Sequence, residues 1–289
     1  MLMVAYLYQE GGSDAFEQDL EKAYEWYSAA AAKGSASALC VMAQLHAQGM
    51  VDDASPAKAV ELYEQAFNEL NSSEALVGLS ALYMDDTFAG LQQDVPKALA
   101  LLEQAAAMDD DEAMLTLGQL YLGEMSEQVS ADHALARKWL EAAADRDNTD
   151  ALNTLGFLHF SGEAGYAKDV DMAISLHERA AGLKEIEAMN LLGQLYFSGV
   201  EGDVEIDFAK SMHWFKKAAA HGSALAMSTI GDMYEEGMGV DKDEKLAAEW
   251  HAKAEEAGDD EDWEDDCCDD EDCDGCGDDH EHEQDHDEE

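Results

Sequence analysis

Cysteine and histidine side chains crowd together near the end of the sequence, where their chemistry suits the binding of a metal ion. The residues are Cys267, Cys268, Cys273, Cys276, His280 and His282, with His286 beyond them. Thiolates and imidazoles are ligands of Zn²⁺, Cu and Ni ions, and this spacing is compatible with a tetrahedral site. The pattern predicts a transition-metal site, and a solvated, redox-sensitive tail is the alternative. No cofactor is required elsewhere in the chain.

The same segment also matches the written pattern of a calcium-binding EF-hand loop, with its carboxylates at Asp270, Asp272, Asp274 and Glu281 and its glycine at Gly275. A loop of that type lies between two helices. No helical pattern flanks this segment, and so acidic a stretch matches by accident easily. We expect only weak electrostatic association with Ca²⁺ here.

The excess of acidic residues excludes several classes of function. The chain has 66 Asp and Glu against 16 Lys and Arg, a net charge of −50, and residues 258–289 hold 20 of the acids and no base. Such a chain offers no basic face to nucleic acid or to anionic lipid. A protein or peptide partner with basic character fits the charge, while solubility or a salty habitat is the alternative explanation. Residues 258–289 are expected to be disordered.

The remaining sequence shows no sign of catalysis, secretion or membrane insertion. No Ser or Cys nucleophile stands beside a base in a recognisable motif, and Cys40 lies apart from the other cysteines. No apolar run approaches the roughly 20 residues that span a bilayer. The first residues lack the basic region of a secretory signal, which predicts a cytoplasmic protein unless the true start lies upstream. We expect a protein that is not an enzyme.

The elements that must position any binding residue follow a repeat of 37 or 38 residues. Each copy opens with an alanine, followed by an apolar residue at +4, a small residue at +5 and a ring at +8. These offsets share one face of a helix, and glycine inside that face costs about 1 kcal/mol unless a second helix packs closely against it. The opening alanines are Ala38, Ala75, Ala113, Ala151, Ala188 and Ala226.

A second helix is indicated in each copy by a capping residue that precedes a small residue by four positions. The expected caps are Asp19, Ser55, Asp94, Asp132, Asp169, Asp207 and Asp243. A large apolar residue follows three positions after the small one, and we expect this row to pack in the core. Its members are Trp26, Leu62, Leu101, Trp139, Leu176, Trp214 and Trp250. The pattern predicts an all-α, right-handed α-solenoid of about seven helix-turn-helix repeats over residues 1–257, with one continuous core.

The two helical patterns read A-x-x-x-L-G-x-x-Y-x-x-G and D-x-x-K-A-x-x-W-x-x-K-A-A, most clearly from Glu187 and Ala226. They closely resemble the Sel-one-like repeat (SLR) family, a longer relative of the tetratricopeptide repeat, over residues 1–257. The resemblance implies a scaffold or adaptor that holds other proteins. A secreted, cysteine-rich branch of the family is linked to β-lactam binding or hydrolysis. This sequence lacks the paired cysteines of that branch, so a hydrolase is the least favoured alternative, after a metal-handling protein that uses the tail.

The concave face of such a solenoid is expected to bind the partner through first-helix positions at +2, +6 and +9. Amides there can bond a peptide backbone and aromatic rings can bury side chains. The alternative is that Phe160 and Phe197, both at +9, complete the packing of the loop while the amides are merely solvated. The predicted contact residues are Gln119, Asn153, Phe157, Asn190, Gln194, Ser228 and Asp232.

Overall fold

The computed structural model describes residues 1–11, 17–88, 90–123 and 128–258. Within these ranges the chain forms fourteen α-helices, and its extended pairing amounts to a single bridge between Val200 and Val204. The first helices of the seven repeats are α1 (Leu2–Glu10), α3 (Ala36–Ala47), α5 (Ser73–Met84), α7 (Asp111–Leu122), α9 (Thr149–Ser161), α11 (Ile186–Ser198) and α13 (Ala224–Glu236). The second helices are α2 (Leu20–Ala31), α4 (Pro56–Leu70), α6 (Val95–Ala106), α8 (His133–Ala144), α10 (Val170–Gly182), α12 (Phe208–Ala220) and α14 (Glu244–Gly258). This helical-repeat solenoid confirms the predicted fold class.

The predicted caps of the second helices are confirmed at the six aspartates. In α10, for example, the Asp169 carboxylate accepts a hydrogen bond from Met172 N at 2.9 Å. Ser55 occupies the cap position of α4 with Pro56 after it, but its side chain accepts no capping hydrogen bond. The first helix, α1, starts without a side-chain cap.

A backbone hydrogen bond closes the loop between the two helices of most repeats. The N–H of the capping aspartate donates to the carbonyl of the ring residue at +8, as Asp94 N does to Tyr83 O at 2.8 Å. Three of these repeats have a lysine three positions after the cap, and it reaches back over the same ring; Lys97 Nζ, for example, lies 3.8 Å from the Tyr83 ring centroid. This cation–π contact gives the D-x-x-K part of the motif a physical role.

The glycines at +5 confirm the predicted close approach of a second helix. A Cβ at Gly118 would lie 2.6 Å from Leu140 Cγ, and one at Gly193 would lie 2.7 Å from Phe215 Cε1. The facing residues stand four positions after the small residue of the second helix, one position beyond the tryptophan row. We call this the floor row: Tyr27, Tyr63, Leu102, Leu140, His177, Phe215 and His251.

The core assignment is right for the first helices, whereas the row predicted for the second helices packs mostly at the margin of the core. All six opening alanines and the apolar residues at +4 are buried. The tryptophans, however, lie at the edge of the core, with Trp26 38 % exposed and Trp139, Trp214 and Trp250 half-buried. One residue is a rotation of about 100° on a helix, so the floor row faces the first helix directly while Trp139, Trp214 and Trp250 pack against the margin of the core.

The buried residues form two clusters where one continuous core was expected. One cluster covers the first three repeats and the other runs from the third repeat to the last. Half-buried Phe67 and Leu101 pack against both clusters and join them. The seven repeats are thus packed along the chain in series, as a solenoid requires.

Candidate partner-binding groove

Two cavities open on the surface formed by the first helices, which we call the groove, and the more apolar of them lies between α9 and α11. A cavity of about 340 Å³ opens there. Phe157, Phe160, Leu191 and Leu195 form its walls, and His177 of α10 forms its floor. These five residues are called the apolar slot. Phe157 is 57 % exposed and Leu191 is 42 % exposed, so the slot offers bulky apolar surface to solvent.

The equivalent place between α3 and α5 holds a second cavity, of about 470 Å³, with Tyr63 of α4 as its floor. Its lining includes Cys40, Gln44 and Glu74. Burial raises the pKa of the Cys40 thiol to about 12. This thiol is therefore protonated at neutral pH and is a poor nucleophile.

Two of the predicted contact residues line the apolar slot, and two are engaged within the fold. Phe157 and Gln194 face the cavity. Asn153 Oδ1 lies 3.2 Å from Nδ1 of His177, and Asn190 Oδ1 accepts a hydrogen bond from Ser223 Oγ at 3.1 Å. The two asparagines thus bond neighbouring helices of the solenoid through their side-chain oxygens.

The remaining predicted residues lie at the expected register on other first helices. Gln119 of α7 and Ser228 of α13 are half-buried, and Asp232 of α13 is exposed. Of the two phenylalanines at +9, Phe197 packs edge-on against Phe208 with ring centroids 5.5 Å apart, as the alternative interpretation expected. Phe160 instead lines the apolar slot and is 37 % exposed.

A small acid–imidazole cluster on the last repeat was missed by sequence reasoning because its members lie on two helices. His251 Nε2 lies 3.6 Å from Asp232 Oδ1 and 3.8 Å from Glu235 Oε2. Among the described residues these three donor atoms are near enough to share a cation. Exposed carboxylates are common on so acidic a chain, and the cluster by itself assigns no metal.

Sequence reasoning also missed His177 and Leu191. His177 belongs to the floor row. The signal in the sequence is that each +5 glycine of a first helix needs a large residue of the second helix to pack against it. Leu191 lies at +3, one helical turn after Glu187, on the stripe that faces the slot.

The buried histidines serve packing. His177 is 8 % exposed, and burial lowers its pKa. His46 is also buried, with Nε2 3.0 Å from the hydroxyl of Tyr24, and burial lowers its pKa as well.

The residues of the predicted metal site, Cys267, Cys268, Cys273, Cys276, His280 and His282, and those of the calcium-loop pattern lie outside the described residues. Metal binding there stays a prediction, which metal analysis of the purified protein would check. Of the helices that the structure describes, none is long and apolar enough to cross a membrane.

Two solved structures share the fold over most of the chain. A Sel1 repeat protein from Oxalobacter formigenes is 26 % identical with a TM-score of 0.62, and the match covers 89 % of this chain and 71 % of that one. A protective antigen of uropathogenic Escherichia coli with an SLR fold is 25 % identical with a TM-score of 0.61. That match covers 89 % of this chain and 53 % of the antigen, so the chain spans about half of the antigen's length.

No curated protein matches the chain. The Sel1 repeat pattern, in contrast, matches seven successive segments that together cover nearly all of the described residues. They are residues 1–35, 36–69, 73–110, 111–148, 149–184, 186–223 and 224–259. The chain therefore belongs to the Sel1 repeat family, whose members are typically scaffolds for protein–protein interaction.

Proposed function

We propose that this protein is a binding scaffold without catalytic activity, and that an exposed segment of its partner docks in the groove of the first helices. The apolar slot is the observation that carries the proposal. Bulky apolar side chains that face solvent next to one another mark a binding surface, because burying them against a partner is favourable.

The neighbouring polar groups fit the same role. Gln194 is exposed at the slot, where its amide can donate to and accept from a peptide backbone. Its Nε2 now donates to Ser198 Oγ at 2.9 Å, a bond on the protein surface that a ligand can replace at small cost. A cytoplasmic location is part of the proposal, and fractionation of cells that express the chain would check it.

The test compares the full chain with a Phe157→Ser, Leu191→Ser double variant. Partner segments are first identified by crosslinking to the full chain, and their affinities are then measured by calorimetry. Phe157 is 57 % exposed and Leu191 is 42 % exposed, so we expect the melting temperature to fall no more than in the control variant below. Loss of two anchor contacts should weaken binding by roughly tenfold or more.

A Met172→Ser, Leu183→Ser double variant is the matched control. These side chains are 45 % and 43 % exposed in the same repeat, but neither lines the slot. The control should bind like the unmodified chain. Equal affinity for all three proteins would show that the partner docks elsewhere.

A further inference from the structure

Positive charge is absent from all seven first helices. Every one of the 16 Lys and Arg residues lies in a second helix or in a connection between helices. The seven first helices together carry nine acidic residues and no Lys or Arg. The surface that they form is therefore purely acidic, even though basic residues occur on every second helix.

Four of these acids form a row across consecutive repeats, at the position just before the opening alanine. We call them the acidic row: Glu74, Glu112, Asp150 and Glu187. All four are exposed. Glu74 and Glu112 line the cavity between α3 and α5, so the row faces the groove.

The acidic row shares its helix faces with the apolar slot. Glu187 precedes Leu191 by four residues, one helical turn, which places their Cβ atoms about 5–6 Å apart. Asp150 precedes Phe157 by seven residues, or about 10 Å along α9. Negative charge and apolar surface thus lie side by side on the same helices.

Among the described residues, the carboxylates of the row have no basic partner. None of the four is within 4.0 Å of a Lys, Arg or His nitrogen among the described residues. Desolvation, together with the carboxylates of Asp150, Asp111 and Asp110, raises the pKa of Glu112. Acids in a first turn also favour the helix dipole. Ser37 and Leu225 fill the same position in other repeats, however, so the helices form without an acid there.

From this arrangement we infer that the segment bound in the groove is cationic, with a bulky apolar side chain two or three residues from a lysine or arginine. The spacing follows from the 5–10 Å between slot and row and from the rise of about 3.3 Å per residue in an extended peptide. Helices that pack directly together have axes about 8–10 Å apart, and with this as the smallest spacing between members of the row, basic residues three or more positions apart would reach the next members. The inference rests on the proposed function, because it describes the ligand of the same groove.

Short fluorescein-labelled peptides test this inference directly with the full chain. One peptide carries lysine at every third position and a phenylalanine two residues after one of them. Two matched peptides replace either the lysines by glutamine or the phenylalanine by serine. Fluorescence anisotropy gives their affinities at low and at physiological salt.

We expect the first peptide to bind best and to lose affinity with salt. Neutralising three charges in Glu112→Gln, Asp150→Asn, Glu187→Gln should weaken its binding about tenfold, since an exposed ion pair contributes up to about a factor of five. Glu103→Gln, Glu141→Gln, Glu178→Gln removes equal charge from exposed positions of the second helices and is the control. This control should change the affinity by less than about twofold, as expected for charges distant from the ligand.

The outcomes separate the two proposals. Equal loss in the row variant and its control, or failure of the lysine peptide to bind, overturns the cationic inference. Weaker binding of any partner segment by the Phe157→Ser, Leu191→Ser variant would still support the groove as the docking site. If partner segments bind every variant alike, both proposals fail.

Discussion

At the scale of single residues, His177 places an ionisable imidazole at a buried position that neighbouring repeats fill with apolar side chains. It forms the floor of the apolar slot, and a Cβ at Gly156 would lie 2.6 Å from its Nε2. The repeats on either side place Leu140 and Phe215 at the same point. The imidazole fills the same space as those apolar side chains while its Nδ1 contacts Asn153 Oδ1, and burial disfavours its charged form.

This burial predicts a pH dependence of stability that a single substitution removes. The pKa of His177 is lower in the folded chain than in the unfolded chain, so the unfolded chain binds the proton first as the pH falls. Stability is therefore lost as the pH drops through the ordinary histidine pKa of about 6.5 toward the lower folded value. His177→Phe, which copies the sixth repeat, should lose less stability than the unmodified chain over this range.

Thermal melting at a series of pH values between neutral and mildly acidic measures the difference. Other groups also titrate in this range, so only the difference between the two proteins is informative. His133→Gln is the control, because His133 is exposed on α8. Parallel pH profiles for His177→Phe and the unmodified chain would contradict the prediction.

At the scale of the helices, the close contact between the first and second helix of a repeat depends on glycines, which have no side chain. A methyl group at Gly193 would lie 2.7 Å from Phe215, which is 1 % exposed and cannot move aside freely. Alanine favours a helix over glycine by about 1 kcal/mol, but overpacking a core costs about 1–3 kcal/mol. Gly193→Ala should therefore lower the free energy of unfolding, by up to about 2 kcal/mol.

Gly182→Ala provides the contrast, because no atom lies within 4 Å of the added carbon at the end of α10. We expect its stability to be unchanged or slightly raised. Urea unfolding measures the free energies, and the comparison is valid when both variants show the same slope of free energy against urea concentration. Equal stability of the two variants would mean that the helices separate at little cost.

The repeat pattern predicted the helices, their caps and the small residues between them, because each depends on local chemistry. It did not predict the floor row. Trp214 is larger than Phe215 and looked the better core residue, yet only Phe215 faces Gly193. Which of two adjacent residues faces the neighbouring helix depends on how the two helices pack, and the sequence of one helix alone does not determine that. Of the predicted contact residues, Phe157 and Gln194 line the cavity while Asn153 and Asn190 bond within the solenoid, and contact with a partner stays a prediction.

At the scale of the whole molecule, charge is unevenly distributed and largely unpaired. Most of the described ion pairs lie within second helices or in the loops and turns next to them, as does the pair of Arg179 with Asp147 at 2.7 Å. Arg146 and Asp109 form a similar pair one repeat earlier. Repulsion among the remaining carboxylates opposes the compact state.

We therefore expect the melting temperature to rise when sodium chloride is added from low to physiological concentration. At about 0.1 M salt, interactions beyond about 10 Å are largely screened, so repulsion falls more than the short ion pairs weaken. A neutral osmolyte at equal osmolarity serves as the control, because it screens no charge. A fall in melting temperature with salt would show that the ion pairs contribute more than the repulsion.

The hydrogen bond from each capping aspartate to the ring carbonyl at +8 bears on how this protein could be re-engineered. It spans nine residues from Tyr234 to Asp243, ten from His159 to Asp169 and eleven from Tyr196 to Asp207. The two ends of each loop are held at the same place whatever the length between them. Insertions at the tips of these loops would extend into solvent and leave the register of the helices unchanged. The loop between Tyr234 and Asp243 lines neither cavity of the groove, so an epitope or a fluorescent reporter placed at its tip would label the scaffold without altering the groove.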